Sequence, residues 1–274
     1  MSDAGRRGWR PSPFLVASAG MHGAALATLL VSPPSWDLVL AAVLSNHVAI
    51  GAAGMLPRCG WLGPNITRLP AAGARDGLVA LTFDDGPDPD VTPAVLDLLE
   101  QAGARATFFC VGRRAEAYPG VVAAIRARGH GLENHTYSHP NGFAFRGPGG
   151  LRREIVRAQE AIERSGGGRP SLFRAPAGIQ NPWLSWVLAG TGLSLVSWSR
   201  RGFDTVSRDP ARIAARLGQD LRAGSILLLH DASSARDATG RPVVLEALPR
   251  VLDQMGRQGL RSEALHAILQ RPEA

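Results

Sequence analysis

From residue 78 onward the chain alternates between two textures. Short apolar runs lie at 78–83, 105–110, 130–134, 171–175, 194–199 and 225–229, with a weaker one near 264–269. Amphipathic stretches at 92–102, 119–128, 149–164, 182–190, 209–222 and 242–258 separate them. Runs of the first kind have the length of buried strands, and stretches of the second kind have the one-sided pattern of surface helices. Each intervening helix carries the chain back to the end where the previous strand began, so successive strands run parallel. Seven alternations predict a parallel α/β fold with barrel geometry. In such a barrel the C-terminal ends of the strands share one face, and that face holds the active site.

The residues that follow each strand give that face its chemistry. The first strand ends in Thr82-Phe83-Asp84-Asp85-Gly86-Pro87, and the third runs into His135-Thr136-Tyr137-Ser138-His139. The fourth ends in Arg174-Ala175-Pro176-Ala177-Gly178, the fifth runs into Trp198 through Asp204, and the sixth ends in Leu228-Leu229-His230-Asp231. His135 and His139, four apart, face the same way if the stretch turns like a helix. Neutral imidazoles suit a divalent ion, and a carboxylate from another strand completes a His₂-Asp set with open positions left over. Asp84 and Asp85 are adjacent, and in extended geometry their side chains point apart. One can therefore bind the ion while the other acts as a base. Arg174 can hold a carboxylate ionised, and His230 can donate a proton to a leaving group. Each piece alone has a bland explanation as a turn or a helix-surface pair. Five in order, all at strand ends, do not.

This set resembles the polysaccharide deacetylase family, the NodB-homology domain of carbohydrate esterase family four, over roughly residues 76–270. The matching stretches are TFDDG at 82–86, HTYSH at 135–139, RAPAG at 174–178, a degenerate stretch ending at Asp204, and LLLH at 227–230. The resemblance implies an α/β fold, a distorted (β/α)7 barrel. It implies a metal triad of Asp85, His135 and His139, a base at Asp84 tethered by Arg174, and an acid at His230 oriented by Asp204. It implies a metal-dependent hydrolase of carbon–nitrogen (amide) bonds, removing an N-acyl group, chiefly acetyl, from an amino sugar in a glycan. Zinc is the first expectation for the single divalent ion, with cobalt, nickel and manganese as alternatives. Ala177, Trp198 and Leu228 are expected to line the substrate. Arg201 and Thr205 depart from the family pattern, which usually has Asp and Trp there, and Ala177 stands where many members carry an aromatic residue. Phe143 and Phe145 could help rebuild an apolar wall. Two other functions compete: a deacylase or deformylase of a lipid-linked sugar at the membrane, and a non-catalytic carbohydrate-binding scaffold.

The N-terminal part is of another kind. Residues 14–31 carry no charge, and residues 36–56 carry only Asp37. Each is close to the ~20 residues that span a bilayer, and Ser32-Pro33-Pro34-Ser35 between them is a strong turn signal. The expected organisation is a membrane hairpin at 1–57, a Pro-, Gly- and Arg-rich linker at 58–75 and the deacetylase domain at 76–274. Arg6, Arg7 and Arg10 precede the first run and Arg58, Arg68 and Arg75 follow the second, while the turn has no positive charge. The expectation is an inner-membrane protein with its barrel on the cytoplasmic face, or in the periplasm if only one span forms. His22 and His47 lie inside the runs without an acidic partner in register and are read as structural. The net charge of +7 has no basic run interleaved with aromatics, so no nucleic-acid partner is expected. The expected partners are the glycan or lipid-linked sugar and the membrane, with no obligate protein partner. Two isolated cysteines, Cys59 and Cys110, make neither a disulfide framework nor a metal knuckle.

Overall fold

The structure, a computed structural model, describes residues 9–32 and 35–270. In chain order the elements begin with α1 (Pro13–Val31), α2 (Trp36–Met55), α3 (Ala71–Arg75), β1 (Leu78–Asp84), α4 (Val91–Gln101), β2 (Ala106–Cys110), α5 (Gly112–Ala117), α6 (Pro119–Ala127) and β3 (Gly131–Asn134). They continue with α7 (Pro148–Arg164), β4 (Leu172–Phe173), α8 (Leu184–Thr191), β5 (Ser194–Leu195), β6 (Arg200–Arg201), α9 (Pro210–Gly218), β7 (Ile226–His230), α10 (Val244–Arg257), β8 (Arg261–Ser262) and α11 (Leu265–Leu269).

All strand pairs are parallel, in the order β5-β4-β3-β2-β1-β7-β6, with β8 beside the start of β1. The strands are apolar on both faces because each face meets a packed layer. Leu81, Phe83, Phe108, Leu227 and Leu229 pack outward into a core shared with α4, α6, α9 and α10. Ala80, Phe109, Ile226 and Leu228 pack on the other face with Trp198, Leu69, Leu265 and Ile268. The result is the distorted (β/α)7 barrel expected from the sequence.

The barrel has a seam, because β5 and β6 do not pair. The stretch after α2 fills it. Ile66 donates its N–H to the Leu195 carbonyl at 2.9 Å and accepts from the Ser197 N–H at 2.9 Å. Leu69 donates to the Gly224 carbonyl at 2.9 Å, and Arg58 reaches the Ser199 carbonyl at 3.4 Å. Backbone groups that a closed sheet would satisfy are thus paired by this segment.

Two expectations need correction. The run near 264–269 is the helix α11, and the strand in its neighbourhood is β8, three residues earlier. A short apolar run fits either period, and here Leu265 and Ile268, three apart, share one buried side. The runs at 171–175 and 194–199 shrink to two-residue strands, and the sequence reading missed α5 and β6.

At the N-terminus α1 and α2 are long and apolar enough to cross a membrane. Leu30, Val31, Leu38 and Val48 are more than two-thirds exposed on their surface. Asn46 donates to the Ser18 hydroxyl at 2.7 Å between the two helices, and the His22 and His47 rings meet edge to face at 5.2 Å. Pro33 and Pro34 of the expected turn, and Arg6 and Arg7, lie outside the described residues. The base of the hairpin rests on the barrel. The Gly54 carbonyl accepts from the Gln180 N–H at 2.9 Å, and a Cβ at Gly54 would sit 2.5 Å from the Gln180 carbonyl. Trp9 donates its indole N–H to Ser185 at 3.1 Å.

Candidate active site

Asp84 is the last residue of β1 and is buried beside Arg174, which leaves β4 fully enclosed. One Arg174 nitrogen donates to Asp84 Oδ1 at 2.6 Å and to the Thr82 hydroxyl at 2.8 Å. Its other N–H groups reach the carbonyls of Val196 at 3.3 Å and Ser197 at 3.1 Å, and the guanidinium lies 4.0 Å from the Phe109 ring centre. A buried guanidinium persists when it is paired and hydrogen-bonded in this way. The contact fixes one oxygen of Asp84 and leaves Oδ2 turned toward His135 Nε2, 3.9 Å away.

Asp85 comes next but is not extended. Its φ of 75° places it in the left-handed region. That twist aims its Oδ1 at two imidazoles, 3.4 Å from His135 Nε2 and 3.2 Å from His139 Nε2. Burial alone would raise its pKa, but the His135 hydrogen bond and then the charges of His135, His230 and His139 bring it well below the usual carboxylate range. Gly86 follows because Asp231 leaves no room for a side chain: a Cβ there would lie 2.2 Å from its carboxylate. Asp231 is itself pushed up to about 7 by burial, against a hydrogen bond from Thr92.

His135 and His139 do converge, with ring centres 4.9 Å apart, but not on a helical turn. The stretch is a loop bent by left-handed Thr136 (φ 65°) and His139 (φ 49°). Three residues that sequence reasoning passed over hold it. Asn134 accepts from the Thr136 N–H at 2.9 Å, the Thr136 hydroxyl accepts from the His139 N–H at 3.1 Å, and Glu154 of α7 accepts from the Ser138 N–H at 2.9 Å. Only the polar character of these positions was legible, since Glu154 comes from a helix that the sequence does not place against the loop. His135 Nδ1 donates to the Arg174 carbonyl at 2.8 Å, which frees Nε2. Burial, then the charge of His135, lowers the pKa of His139, so its neutral form is favoured.

The candidate ligand atoms of Asp85, His135 and His139 lie within 4.8 Å of one another. Zinc–ligand bonds of ~2.0–2.1 Å in tetrahedral geometry place neighbouring ligand atoms ~3.3 Å apart. The 3.2 and 3.4 Å separations match that edge. The residues present therefore fit a divalent ion.

On the far side of β1, His230 ends β7 in register with Asp84. Asp204, fully buried, accepts from the His230 backbone N–H at 2.7 Å and from Nδ1 at 2.9 Å. Burial would depress His230, but the Asp204 hydrogen bond and charge, followed by the charges of Asp84 and Asp85, outweigh it and raise its pKa. All seven residues expected to carry chemistry are thus gathered at the C-terminal ends of the strands. The expected substrate contacts differ among themselves. Ala177 is a left-handed corner (φ 55°) on the loop after β4, whereas Leu228 and Trp198 are buried with the interior cluster. Phe143 is buried against Phe173, and Phe145 is fully out in solvent.

A chitooligosaccharide deacetylase of Azorhizobium caulinodans is 35% identical over 194 residues, covering 68% of this chain and 92% of that one. The chain belongs to the polysaccharide deacetylase family. The family's signature matches residues 71–196. A peptidoglycan-N-acetylglucosamine deacetylase of Bacillus cereus is 33% identical, covering 70% of this chain and 68% of its own. Among solved structures, a family 4 carbohydrate esterase of Streptomyces lividans bound to acetate superposes with a TM-score of 0.62 at 36% identity, covering 68% of this chain and 92% of that one. As a member of this family the chain is a hydrolase of amide bonds in amino sugars.

Proposed function

We propose that the protein is a metal-dependent N-deacetylase of N-acetylglucosamine units in a glycan. The observation that carries this is the Asp85–His135–His139 cluster set beside a separately tethered Asp84. The named relatives, which act on peptidoglycan and chitooligosaccharides, support the substrate class. A divalent ion, zinc by preference, would supply Lewis-acid activation of the amide carbonyl and of the attacking water. Asp84, held in place by its contact with Arg174, takes the proton from that water. The Ala177 N–H is the candidate donor to the developing oxyanion. His230, its Nδ1 held by Asp204, delivers a proton from Nε2 to the departing amine.

A second reading, a lipid-linked amino sugar as substrate, is favoured by one feature. The base of the hairpin rests on the loop that carries Ala177, through the Gln180–Gly54 hydrogen bond. A Cβ at Gly178 would touch both Trp198 and Pro57, at 2.6 and 2.8 Å. Trp9 and Trp61, both partly exposed, lie at that base, where Trp61 meets the Phe14 ring, as indoles do at a bilayer interface. With both spans inserted, the barrel mouth lies at the membrane surface.

One pair of variants tests the site. His135→Ala should lose both the bound metal and at least ~10³-fold in acetate release from N-acetylglucosamine oligomers. Asp84→Asn should keep the metal and lose ~10²–10⁴-fold in turnover. Metal retained in full by His135→Ala, or stripped equally by Asp84→Asn, would overturn the division of roles.

A further inference from the structure

Along the β6 edge lies a pocket of about 480 Å³ that the chemistry above does not use. Its walls are Pro57 and Arg58 from the base of the hairpin, Trp198, Arg201 and Phe203 from the β6 edge, and Arg216 of α9. Arg200 also opens onto it and is paired with Asp220. Among the described residues, Arg58, Arg201 and Arg216 have no carboxylate within ion-pairing distance. The Arg201 Nε is buried with no hydrogen-bond partner. Like charges gathered around one cavity without counterions repel one another, and a bound anion relieves that. The crowding extends beyond the pocket: burial, then the charges of Arg222, Arg200 and Arg58, hold Arg68 below the usual guanidinium range.

The guanidiniums are also held in place. Arg201 lies 5.7 Å from the Trp198 ring centre and 5.0 Å from that of Phe203, and Arg216 lies 5.3 Å from Phe203. Cations at these distances from aromatic rings are attracted to them, and a guanidinium is the group that suits bidentate contact with phosphate. Phe203 adjoins Asp204, and Arg201 pairs in register with Leu228, two residues before His230.

We propose that this pocket binds the phosphate or diphosphate diester that joins an amino-sugar substrate to its lipid. The inference rests on the lipid-linked reading of the function. Three guanidiniums without a carboxylate partner suit the two charges of a diphosphate diester better than the single carboxylate of an acidic sugar. In a 2-acylamino sugar the amide and the anomeric phosphate sit on adjacent carbons. A phosphate held on the β6 edge, which leads into Asp204 and registers with the strand that ends at His230, would turn the amide toward the catalytic cluster. The pocket wall formed by Pro57 and Arg58 is the end of the hairpin itself, at the level where a lipid's phosphate emerges from a bilayer.

The test is calorimetric titration of the full chain in neutral maltoside detergent, free of phospholipid. The probes are N-acetylglucosaminyl diphosphate on a short isoprenyl chain and a neutral alkyl N-acetylglucosaminide of similar length. The diphosphate should bind at least about tenfold tighter, because charge-assisted hydrogen bonds are the strong ones, and the advantage should fade with added salt. It should disappear in Arg201→Gln/Arg216→Gln, while that variant's acetate release from neutral chitooligosaccharides stays within about twofold. Should the double variant misfold, Arg58→Gln serves in its place. Equal affinity for the two probes overturns the proposal, as does equal loss of both in a folded variant. Phosphatidylglycerol titrated in the same micelles separates the sources of phosphate. If it binds with the arginine dependence and the sugar diphosphate does not, the pocket is a headgroup site and the proposal fails. Binding is read without turnover. A chain that releases no acetate from any N-acetyl sugar refutes the deacetylase reading, while the diphosphate preference is judged on its own.

Discussion

His230 owes its proton to one buried neighbour. Asp204 takes both the backbone N–H and Nδ1 of that residue, and its hydrogen bond and charge raise the imidazole's pKa despite burial. A group raised in this way holds its proton to higher pH and loses it as pH rises. As a general acid it therefore sets the alkaline limb of kcat. In Asp204→Asn that limb should move to lower pH, and His230→Ala should cost ~10²–10³-fold below the limb and abolish the limb itself. An alkaline limb that stays in place in Asp204→Asn would break the assigned pair. At this scale the sequence was most readable, because Asp, His and Arg at strand ends declare their chemistry. The backbone that aims them was not legible. Asp85, Thr136, His139 and Ala177 all adopt the left-handed conformation without being glycine, so no residue type announced the bend. The helical turn expected to align His135 with His139 does the same job as the observed loop, through geometry that spacing alone does not specify.

Among the elements, the long strands were legible in full and the two-residue strands only in part. β1, β2 and β7 are long, buried and apolar on both faces, so their runs stand out in the sequence. β4, β5, β6 and β8 have two residues each, too few for any periodicity. The seam between β5 and β6 is filled by the 57–69 segment, whose Pro-, Gly- and Arg-rich composition reads as a loop. A fragment beginning at residue 76 would leave the Leu195 carbonyl, the Ser197 N–H and the Gly224 carbonyl unpaired and would strip Leu62 and Leu69 from the core. At ~1 kcal/mol for each hydrogen bond and ~1.5–3 for each leucine, the loss is on the order of 6–9 kcal/mol. Compared with a fragment beginning at 57, it should melt at least ~10 °C lower in a thermal scan. Equal midpoints would mean that the seam closes without the segment.

For the whole molecule the charges flanking the two apolar helices carry a prediction about sidedness. Arg10 lies before α1, and Arg58, Arg68 and Arg75 lie after α2, so the positive-inside rule favours both ends of the hairpin in the cytoplasm. A C-terminal green fluorescent protein should be bright and a C-terminal alkaline phosphatase silent; the reverse pattern would place the barrel outside. On either side, the hydrogen bond from Gln180 to Gly54 has a consequence of its own. It joins the rim of the reaction centre to the end of α2, so that, with both helices inserted in a bilayer, the centre would ride at one fixed height above the lipid. Selection then works like a depth gauge, by how far an acetamido group stands from the bilayer as much as by which sugar bears it. A series of lipid-anchored N-acetylglucosamine substrates with lengthening spacers should show turnover that peaks at the shortest spacers and declines as the sugar is carried out of reach, and turnover that is flat across the series would show that the centre is free to leave the surface.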